Sequence, residues 1–162
     1  MGKEEEVYKI LDKMSISYII YQHPPVYTVE EARKHAVGIN GAHCKNLFLR
    51  NRKGDRHYLL IAERDRLVKL KELSSQINEK QLSSASPERL LRKMGLTPGS
   101  VSPFGLINDK KGDIIILIDR GLVDYGKVNF HPNINSLTIT ISFTDLLRFI
   151  DECGNRYSLI EL

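Results

Sequence analysis

Five consecutive aliphatic residues, Ile114 to Ile118, constrain the fold of this chain more than any other feature. A strand without polar positions is buried on both faces, so it lies inside a sheet that is covered on both sides. Just before this run, the stretch from Pro98 to Gly105 contains two prolines and two glycines. Glycine lets a ligand approach the main chain closely, and proline fixes φ. The stretch predicts either a plain tight connection or a rigid loop that aims N–H groups at a bound oxygen.

Helices and strands are predicted along the whole chain, with no linker or repeat between them. Apolar residues at helical spacing predict a first helix over residues 4–14. Thr28 with Glu31 is a capping-box signature that opens a second helix. Residues 45–51 and 56–62 predict a hairpin. Further strands are predicted over residues 17–22, 114–118, 127–130, 137–141 and 156–160, and further helices over 67–77, 86–95 and 144–153.

These elements predict one α+β domain over residues 1–162, a length that is sufficient for a sizeable core. Short turns join several strands while helices separate others, so the sheet must be mixed. We expect helices to surround this sheet. The sheet is either open or closed on itself like a barrel. No apolar run approaches the roughly 18 residues of a membrane span, and the acidic N-terminus does not resemble a signal peptide. We therefore expect a cytoplasmic protein without a membrane partner.

Positive charge is concentrated in residues 45–71. This segment contains nine basic and three acidic residues, so its formal charge of +6 exceeds the +4 of the whole chain. It predicts either a solvated hairpin face or a phosphate-contacting surface of the kind that nucleic-acid-binding proteins carry.

Two side chains in this pattern are candidates for chemistry. Lys45 begins a predicted strand, where it is either an edge lysine with its stem on apolar surface or a fixed cation for a phosphate or a developing oxyanion. Asn46 follows it and points to the opposite face if the strand is regular. His131 ends another predicted strand, either as a satisfied loop histidine or as an acid–base group.

Several other kinds of site are not supported. His23, His35, His43 and His57 show no metal-ligand spacing with one another or with cysteine, so we expect no metal and no cofactor. Cys44 and Cys153 lie too far apart in sequence to suggest a metal or disulfide framework, and we expect reduced thiols. Cys44 is more typical of packing than of an activated thiolate. The phosphate-loop, dinucleotide and nucleophile-elbow motifs are absent from the sequence.

Three short motifs, occurring in this order, resemble those of one family. They are Cys44-Lys-Asn-Leu-Phe-Leu49, Gly99-Ser-Val-Ser-Pro-Phe-Gly-Leu106 and Asn129-Phe-His-Pro-Asn133, with His23-Pro24 and Tyr27-Thr-Val-Glu-Glu-Ala32 before them. Together they resemble the YbaK/prolyl-tRNA synthetase-associated editing domain, essentially from end to end. Asn46 after the lysine resembles the free-standing ProX-type branch, whereas the cysteine-removing YbaK branch has threonine there.

This resemblance implies the fold of that domain and the hydrolysis of mischarged alanyl-tRNA(Pro) in trans. It implies that Lys45 holds the terminal phosphate or the ester, and that His131 orients the aminoacyl group beside a water placed by the substrate's 2′-hydroxyl. Backbone N–H groups of Gly99, Ser100, Val101 and Ser102 would polarise the ester carbonyl. The substrate-binding residues implied are Asn46, Pro103, Phe104, Gly105 and His23. Mischarged tRNA(Pro) is the implied partner, and prolyl-tRNA synthetase is a candidate partner in trans.

Editing by a second site has a physical reason. A pocket for proline cannot strongly exclude the smaller alanine, so a separate hydrolytic site is needed to remove it. Three alternatives remain open at this point: an editor that prefers cysteinyl-tRNA(Pro) or has broader specificity, a module that binds the tRNA acceptor end without chemistry, and a hydrolase built on Cys44.

Overall fold

A computed structural model describes residues 2–162 of the chain, and of Val29 it describes the backbone alone. The helices are α1 (Lys3–Lys13), α2 (Val29–Ala36), α3 (Leu70–Gln76), α4 (Pro87–Met94) and α5 (Phe143–Glu152), with 3₁₀ helices at Pro103–Asn108 and Arg120–Tyr125. The strands are β1 (Ile19–Gln22), β2 (Ala42–Asn51), β3 (His57–Glu63), β4 (Leu82–Ser84), β5 (Ile115–Asp119), β6 (Lys127–Phe130), β7 (Leu137–Ser142) and β8 (Tyr157–Ile160).

The strands form one eight-stranded mixed sheet in the order β1-β7-β6-β2-β3-β5-β8, with β4 paired beside β2. β2 runs parallel to β6, and β5 runs parallel to both β3 and β8, while the other pairs are antiparallel. This confirms the predicted α+β fold with a mixed sheet. The path of the sheet has two ends, β1 and β8, and the helices and loops pack against it.

The aliphatic run is buried on both sides, as its composition predicts. Ile114, Ile116 and Ile118 pack into the larger of two apolar clusters, and Leu117 packs into the smaller one. These four side chains are at most 1% exposed. Full burial of one such side chain stabilises the fold by about 1.5–3 kcal/mol, so β5 anchors both clusters.

Strand β2 pairs with β6 at its start and with β3 along the rest of its length. Its first residues pair with β6 for only two positions, Ala42 with Val128 and His43 with Asn129, whereas residues from Cys44 to Arg50 pair with β3. Beyond the two shared positions β2 and β6 separate. Side chains that follow on both strands therefore face a gap between the two halves of the sheet.

The structure adds elements that the sequence pattern did not indicate. The stretch predicted as a loop ends in the 3₁₀ helix at Pro103–Asn108, and a second 3₁₀ helix follows β5. β4 has only three residues, too few for a visible alternation of polar and apolar positions. The predicted strand at residues 17–22 begins two residues later, at Ile19.

The carboxylate of Glu79 stabilises the hairpin of β2 and β3 near its turn. Glu79 accepts hydrogen bonds from Arg56 at 2.8 Å and 2.9 Å and from the Tyr58 hydroxyl. Its side chain is only 6% exposed. The hydrogen bonds from Arg56, helped by Tyr58, lower the pKa of Glu79 to about 2. Because the folded pKa lies below the unfolded value, this carboxylate stabilises the fold above about pH 4.5, and its contribution is lost as pH falls toward 2.

Replacing Glu79 with glutamine is expected to reduce the free energy of unfolding at pH 7 by about 2 kcal/mol. The variant is also expected to lose the part of the acid dependence that lies between about pH 4.5 and pH 2. Urea unfolding at several pH values measures both effects. Glu72→Gln is the matched control because the Glu72 side chain is 75% exposed and lies 3.7 Å from Lys69. Equal curves for the two variants would contradict this role of Glu79.

Candidate active site

A small cavity of about 80 Å³ lies where β2 and β6 separate. This space would hold roughly two or three water molecules. The cavity takes its walls from six segments of the chain: the residues after β1, helix α2 with the loop that follows it, the start of β2, the residue after β3, the end of β6 and strand β7. The lining residues are His23, Val26, Ala32, His35, Ala36, Ile39, His43, Cys44, Asn46, Arg64, Asn129, Phe130, His131 and Thr138.

Helix α2 supplies one wall through residues at helical spacing, Ala32, His35 and Ala36. Thr28 caps this helix as predicted, since its hydroxyl accepts the Glu31 N–H at 3.1 Å, but the Glu31 carboxylate accepts the Tyr27 N–H at 3.2 Å, so the reciprocal bond of a capping box is not formed. Arg33 pairs with Asp65 beyond β3 and ties the outer face of the helix to the sheet. The two alanines present only methyl groups, so the wall is smooth and apolar apart from the histidine.

His131 offers an unused nitrogen to the cavity. Its Nδ1 lies 2.8 Å from the Leu137 carbonyl, which can only accept, so Nδ1 carries the proton and Nε2 keeps its lone pair. Within residues 2–162, Nε2 has no hydrogen-bond partner. Burial lowers the pKa of His131, and the nearby His23 lowers it further, against the effect of the Leu137 carbonyl. A neutral imidazole with a free acceptor is suited to taking a proton from water.

His23 is held by its neighbours in a single tautomer. Nδ1 lies 2.8 Å from the Pro24 carbonyl and therefore donates, while Nε2 accepts from the Thr138 hydroxyl at 2.8 Å. Its ring stacks on His35 with centroids 5.7 Å apart and meets the edge of His131 at 5.9 Å. With both nitrogens occupied, His23 shapes the cavity and positions its neighbours.

Two polar groups at the cavity lack partners. The Asn46 side-chain oxygen and the Arg64 Nε are buried, and neither has a hydrogen-bond partner among the described residues. An unmet buried donor or acceptor is destabilising by about 1–3 kcal/mol, and a bound ligand or water that hydrogen-bonds to it removes this cost. Asn46 offers an acceptor, and Arg64 offers a donor with a positive charge. Together they match a ligand that carries both an ammonium group and a carbonyl oxygen.

Cys44 lines the cavity in a form that disfavours attack as a nucleophile. Burial strongly raises the pKa of its thiol. The sulfur lies 3.7 Å from the Ala42 carbonyl, to which it donates. Thiolates are the reactive form of cysteine, and the surroundings that favour them are electropositive and partly exposed.

Lys45 lies on the other face of β2 from Asn46, as the alternation along a regular strand predicts. It pairs with Ala62 of β3, and its ammonium donates to the Arg66 carbonyl. It is absent from the cavity lining. The structure therefore brings together His23, Asn46 and His131 from the predicted site residues but leaves Lys45 outside, and its catalytic role stays a prediction.

The Gly99–Gly105 loop lies behind the cavity. The Ser102 hydroxyl accepts the Phe104 N–H at 3.1 Å, and Ser102, Pro103, Phe104 and Gly105 are all buried. The Phe104 ring meets Phe130 of the cavity wall edge-on at 6.1 Å. A Cβ on Gly105 would lie 2.6 Å from the end of the buried Leu96 side chain, which would then have to shift.

The roles predicted for this loop remain predictions. None of its residues lines the cavity, and direct substrate contacts by Pro103, Phe104 and Gly105 are untested. The Ser100 N–H is already bonded to the Thr97 carbonyl at 3.1 Å. The N–H groups of Gly99, Val101 and Ser102 have no partner within residues 2–162, which leaves them available for the oxygen that the resemblance implies.

Several residues that line the cavity were not predicted from the sequence, notably His35, His43 and Arg64. The two histidines lack metal-ligand spacing, and Arg64 belongs to the long basic segment. A usable signal for His35 was its spacing from Ala32 and Ala36, which puts all three on one face of a helix.

Over residues 2–162, no group of three or more His, Cys, Asp or Glu side chains is arranged to hold a metal ion. In the same residues, no helix has the length and apolar character needed to cross a bilayer.

Proteins of known name resemble this chain along nearly all of its length. The prolyl-tRNA editing protein ProX of Acetoanaerobium sticklandii is 40% identical over 162 residues, which are 100% of this chain and 99% of that protein. The prolyl-tRNA synthetase associated domain-containing protein 1 of Danio rerio is 35% identical over 150 residues, 91% of this chain and 81% of that protein.

Solved structures share the fold. The crystal structure of a candidate trans-editing enzyme for prolyl-tRNA synthetase has a TM-score of 0.76, covering 100% of this chain and 98% of its own at 18% identity. That of the hypothetical protein APE2540 has a TM-score of 0.73 at 17% identity, covering 96% of this chain and 97% of its own. The pattern of the aminoacyl-tRNA editing domain family matches residues 23–149. This match and the two relatives show that the chain belongs to the aminoacyl-tRNA editing domain family.

Proposed function

We propose that this protein is a trans-editing enzyme that hydrolyses mischarged alanyl-tRNA(Pro). The observation that carries the proposal is the cavity of about 80 Å³ in which a neutral His131 keeps a free Nε2. The named relatives, one of them a prolyl-tRNA editing protein, support the same substrate class. Such an activity protects translation from alanine at proline codons.

The small apolar side chains that line the cavity support alanine as the amino acid. The apolar walls of the cavity come from Val26, Ala32, Ala36, Ile39 and Phe130. A methyl side chain needs little more room than a water molecule, whereas a proline ring needs space for three ring carbons beyond Cα. Close-packed walls resist such an intrusion, because overpacking is destabilising by about 1–3 kcal/mol. Selection by exclusion therefore spares correctly charged prolyl-tRNA.

The polar groups suggest how the alanyl ester is held. Asn46 accepts a hydrogen bond from the alanyl ammonium group through its unpartnered oxygen. Arg64 donates its Nε–H to the ester carbonyl oxygen, where negative charge develops during attack. The N–H groups of Gly99 to Ser102 are the alternative donors that the resemblance implies, but Arg64 is the donor that lines the cavity.

His131 then takes part in the hydrolysis itself. The oxygen of a water molecule attacks the ester carbonyl carbon while Nε2 of His131 accepts a proton from that water. The bond between the carbonyl carbon and the ribose 3′ oxygen breaks, and the 3′ oxygen receives the proton back. The products are free alanine and uncharged tRNA. No covalent enzyme intermediate is involved, which agrees with the raised pKa of the Cys44 thiol.

Lys45 is proposed to hold the phosphate of the terminal nucleotide instead of the ester carbonyl. Its ammonium lies outside the cavity, where it occupies only the Arg66 carbonyl. Prolyl-tRNA synthetase, which charges this tRNA, is the proposed partner in trans. Because charged tRNAs serve translation in the cytoplasm, that compartment is the proposed location.

Incubating the purified protein with alanyl-tRNA(Pro) in EDTA tests the proposal, with the uncatalysed reaction as the reference. We expect rapid release of alanine, and Cys44→Ala should retain the rate within about threefold, since the thiol supplies packing alone. Rates equal to those without protein would leave a tRNA-binding module as the better account. Loss of activity in Cys44→Ala, with the fold intact by circular dichroism, would favour the cysteine hydrolase instead.

A further inference from the structure

A cluster of unpaired cations lies at the end of the hairpin that is remote from the cavity. It joins the turn between β2 and β3 to helix α4 and consists of Arg50, Arg52, Lys53, Arg89, Arg92 and Lys93; we call it the hairpin–α4 cluster. The same two segments hold only two carboxylates, Asp55 and Glu88. The turn also contains Arg56, which pairs with Glu79, so the combined formal charge of the two segments is +5, against +4 for the whole chain.

The guanidinium groups of this cluster are brought together by the backbone. Arg50 donates from Nε to the Asn51 carbonyl at 3.2 Å and from a terminal nitrogen to the Arg52 carbonyl at 3.1 Å. Arg89 donates to the Gly54 carbonyl at 2.9 Å. A Cβ built on Gly54 would lie 2.9 Å from a terminal nitrogen of each arginine. Hydrogen bonds to backbone carbonyl groups therefore hold the two positively charged guanidinium groups close to each other.

No carboxylate neutralises these charges. Within residues 2–162, none of the six cations forms an ion pair, although Arg56, Arg66 and Arg33 all do so. Asp55 instead accepts from the Asn51 amide at 2.8 Å. His57 lies between the two segments, 3.1 Å from Arg89, and burial together with the charges of Lys93, Arg89, Arg92 and Arg50 lowers its pKa to about 4. The middle of the cluster is thus strongly electropositive.

The position of the cluster matches the geometry of a tRNA end. Arg50 lies four residues beyond Asn46 on the same face of β2, about 13 Å along an extended strand. A stacked single strand rises about 3.4 Å per nucleotide, so the unpaired 3′ end of a tRNA, roughly four nucleotides long, spans about 14 Å. When the terminal ester occupies the cavity, the first base pairs of the acceptor stem can therefore reach the cluster.

We propose that the hairpin–α4 cluster binds the phosphates of the tRNA acceptor stem while the cavity holds the aminoacyl ester. This inference rests on the proposed function and adds the surface that receives the duplex. Phosphate contacts fix the register of a nucleic acid without reading its sequence. The cluster therefore supplies affinity and position, and the amino acid is selected in the cavity.

The test uses the double variant Arg52→Gln/Arg92→Gln. Both side chains are exposed, and no hydrogen bond of either side chain is found in the described residues. On alanyl-tRNA(Pro) at low salt we expect kcat/KM to fall on the order of tenfold, and the slope of log kcat/KM against log salt to flatten by about two. On the alanyl ester of the CCA trinucleotide, which has no duplex, the rate should be unchanged.

Lys9→Gln/Lys13→Gln on α1 is the control, because it removes the same charge from another exposed surface. Equal kcat/KM and salt slope for the two double variants on tRNA would overturn the proposal, as would an equal loss on the trinucleotide ester. A loss seen only when prolyl-tRNA synthetase is present would assign the surface to that protein and also overturn it. Binding of uncharged tRNA(Pro) by the same variants tests the cluster even if the wild type cleaves no ester, so the two proposals fail separately.

Discussion

Replacing His131 with asparagine is expected to lower the single-turnover rate on alanyl-tRNA(Pro) by about 10² to 10⁴, the usual contribution of a general base. Asparagine can still donate to the Leu137 carbonyl, which His131 contacts at 2.8 Å, but it offers no basic nitrogen. Because burial lowers the pKa of His131, the wild-type rate should stay high below pH 6.5 and fall only as the imidazole becomes protonated. The variant should lose that pH dependence.

His35→Asn is the matched control for this experiment. His35 also lines the cavity, stacks on His23 and has no hydrogen bond among the described residues. We expect it to lose less than about tenfold, because the proposed mechanism gives His35 a packing role and no part in the proton transfer. Equal losses in the two variants, or a His131→Asn enzyme that keeps the wild-type pH profile, would contradict the role of His131 as base. Thermal unfolding of each variant separates loss of the base from loss of the fold.

Replacing Lys45 with alanine is expected to lower kcat/KM roughly 10- to 100-fold, the value of a hydrogen bond to a charged group. The effect should appear mainly in KM, since the ammonium lies outside the cavity and is proposed to hold a phosphate. Lys45→Arg, which keeps the charge, should recover part of the loss. Steady-state kinetics with alanyl-tRNA(Pro) as the varied substrate measures both constants.

Lys69→Ala controls for removal of any nearby cation, because Lys69 lies in the same basic segment and its side chain is 61% exposed. We expect it to change kcat/KM by less than about threefold. If Lys45→Ala instead lowers kcat without changing KM, the ammonium must leave the Arg66 carbonyl and act at the ester itself. That result would contradict the phosphate role.

Much of the fold was predictable because strong local patterns and tertiary packing agree. The aliphatic run of β5 indicated burial on both faces, and the hairpin was visible as two apolar stretches around a glycine turn. β4 was not predictable, since three residues carry no period and pair only because β2 is already in place. The pairing of β2 with β6 covers only two residues, and no sequence pattern marks it.

The site was predictable where a motif carries it and was missed where the fold assembles it. Asn46 and His131 belong to short motifs, and both line the cavity. His35 and Arg64 reach it from a helix and from the end of another strand, so only the three-dimensional path brings them near. The alternation of a regular strand also explains why adjacent residues of one motif, Lys45 and Asn46, lie on opposite faces.

The central claim is that a small cavity selects alanine for removal from tRNA(Pro). The most direct measurement compares single-turnover deacylation of alanyl-, cysteinyl- and prolyl-tRNA(Pro) by the same enzyme in EDTA. We expect alanine to be released fastest and proline to be released at least about 100-fold more slowly, since the proposed selection excludes the wider ring from the space beside Ala32 and Ala36. Cysteine released faster than alanine would move the protein to another branch of the family. Proline released as fast as alanine would contradict selection by the cavity.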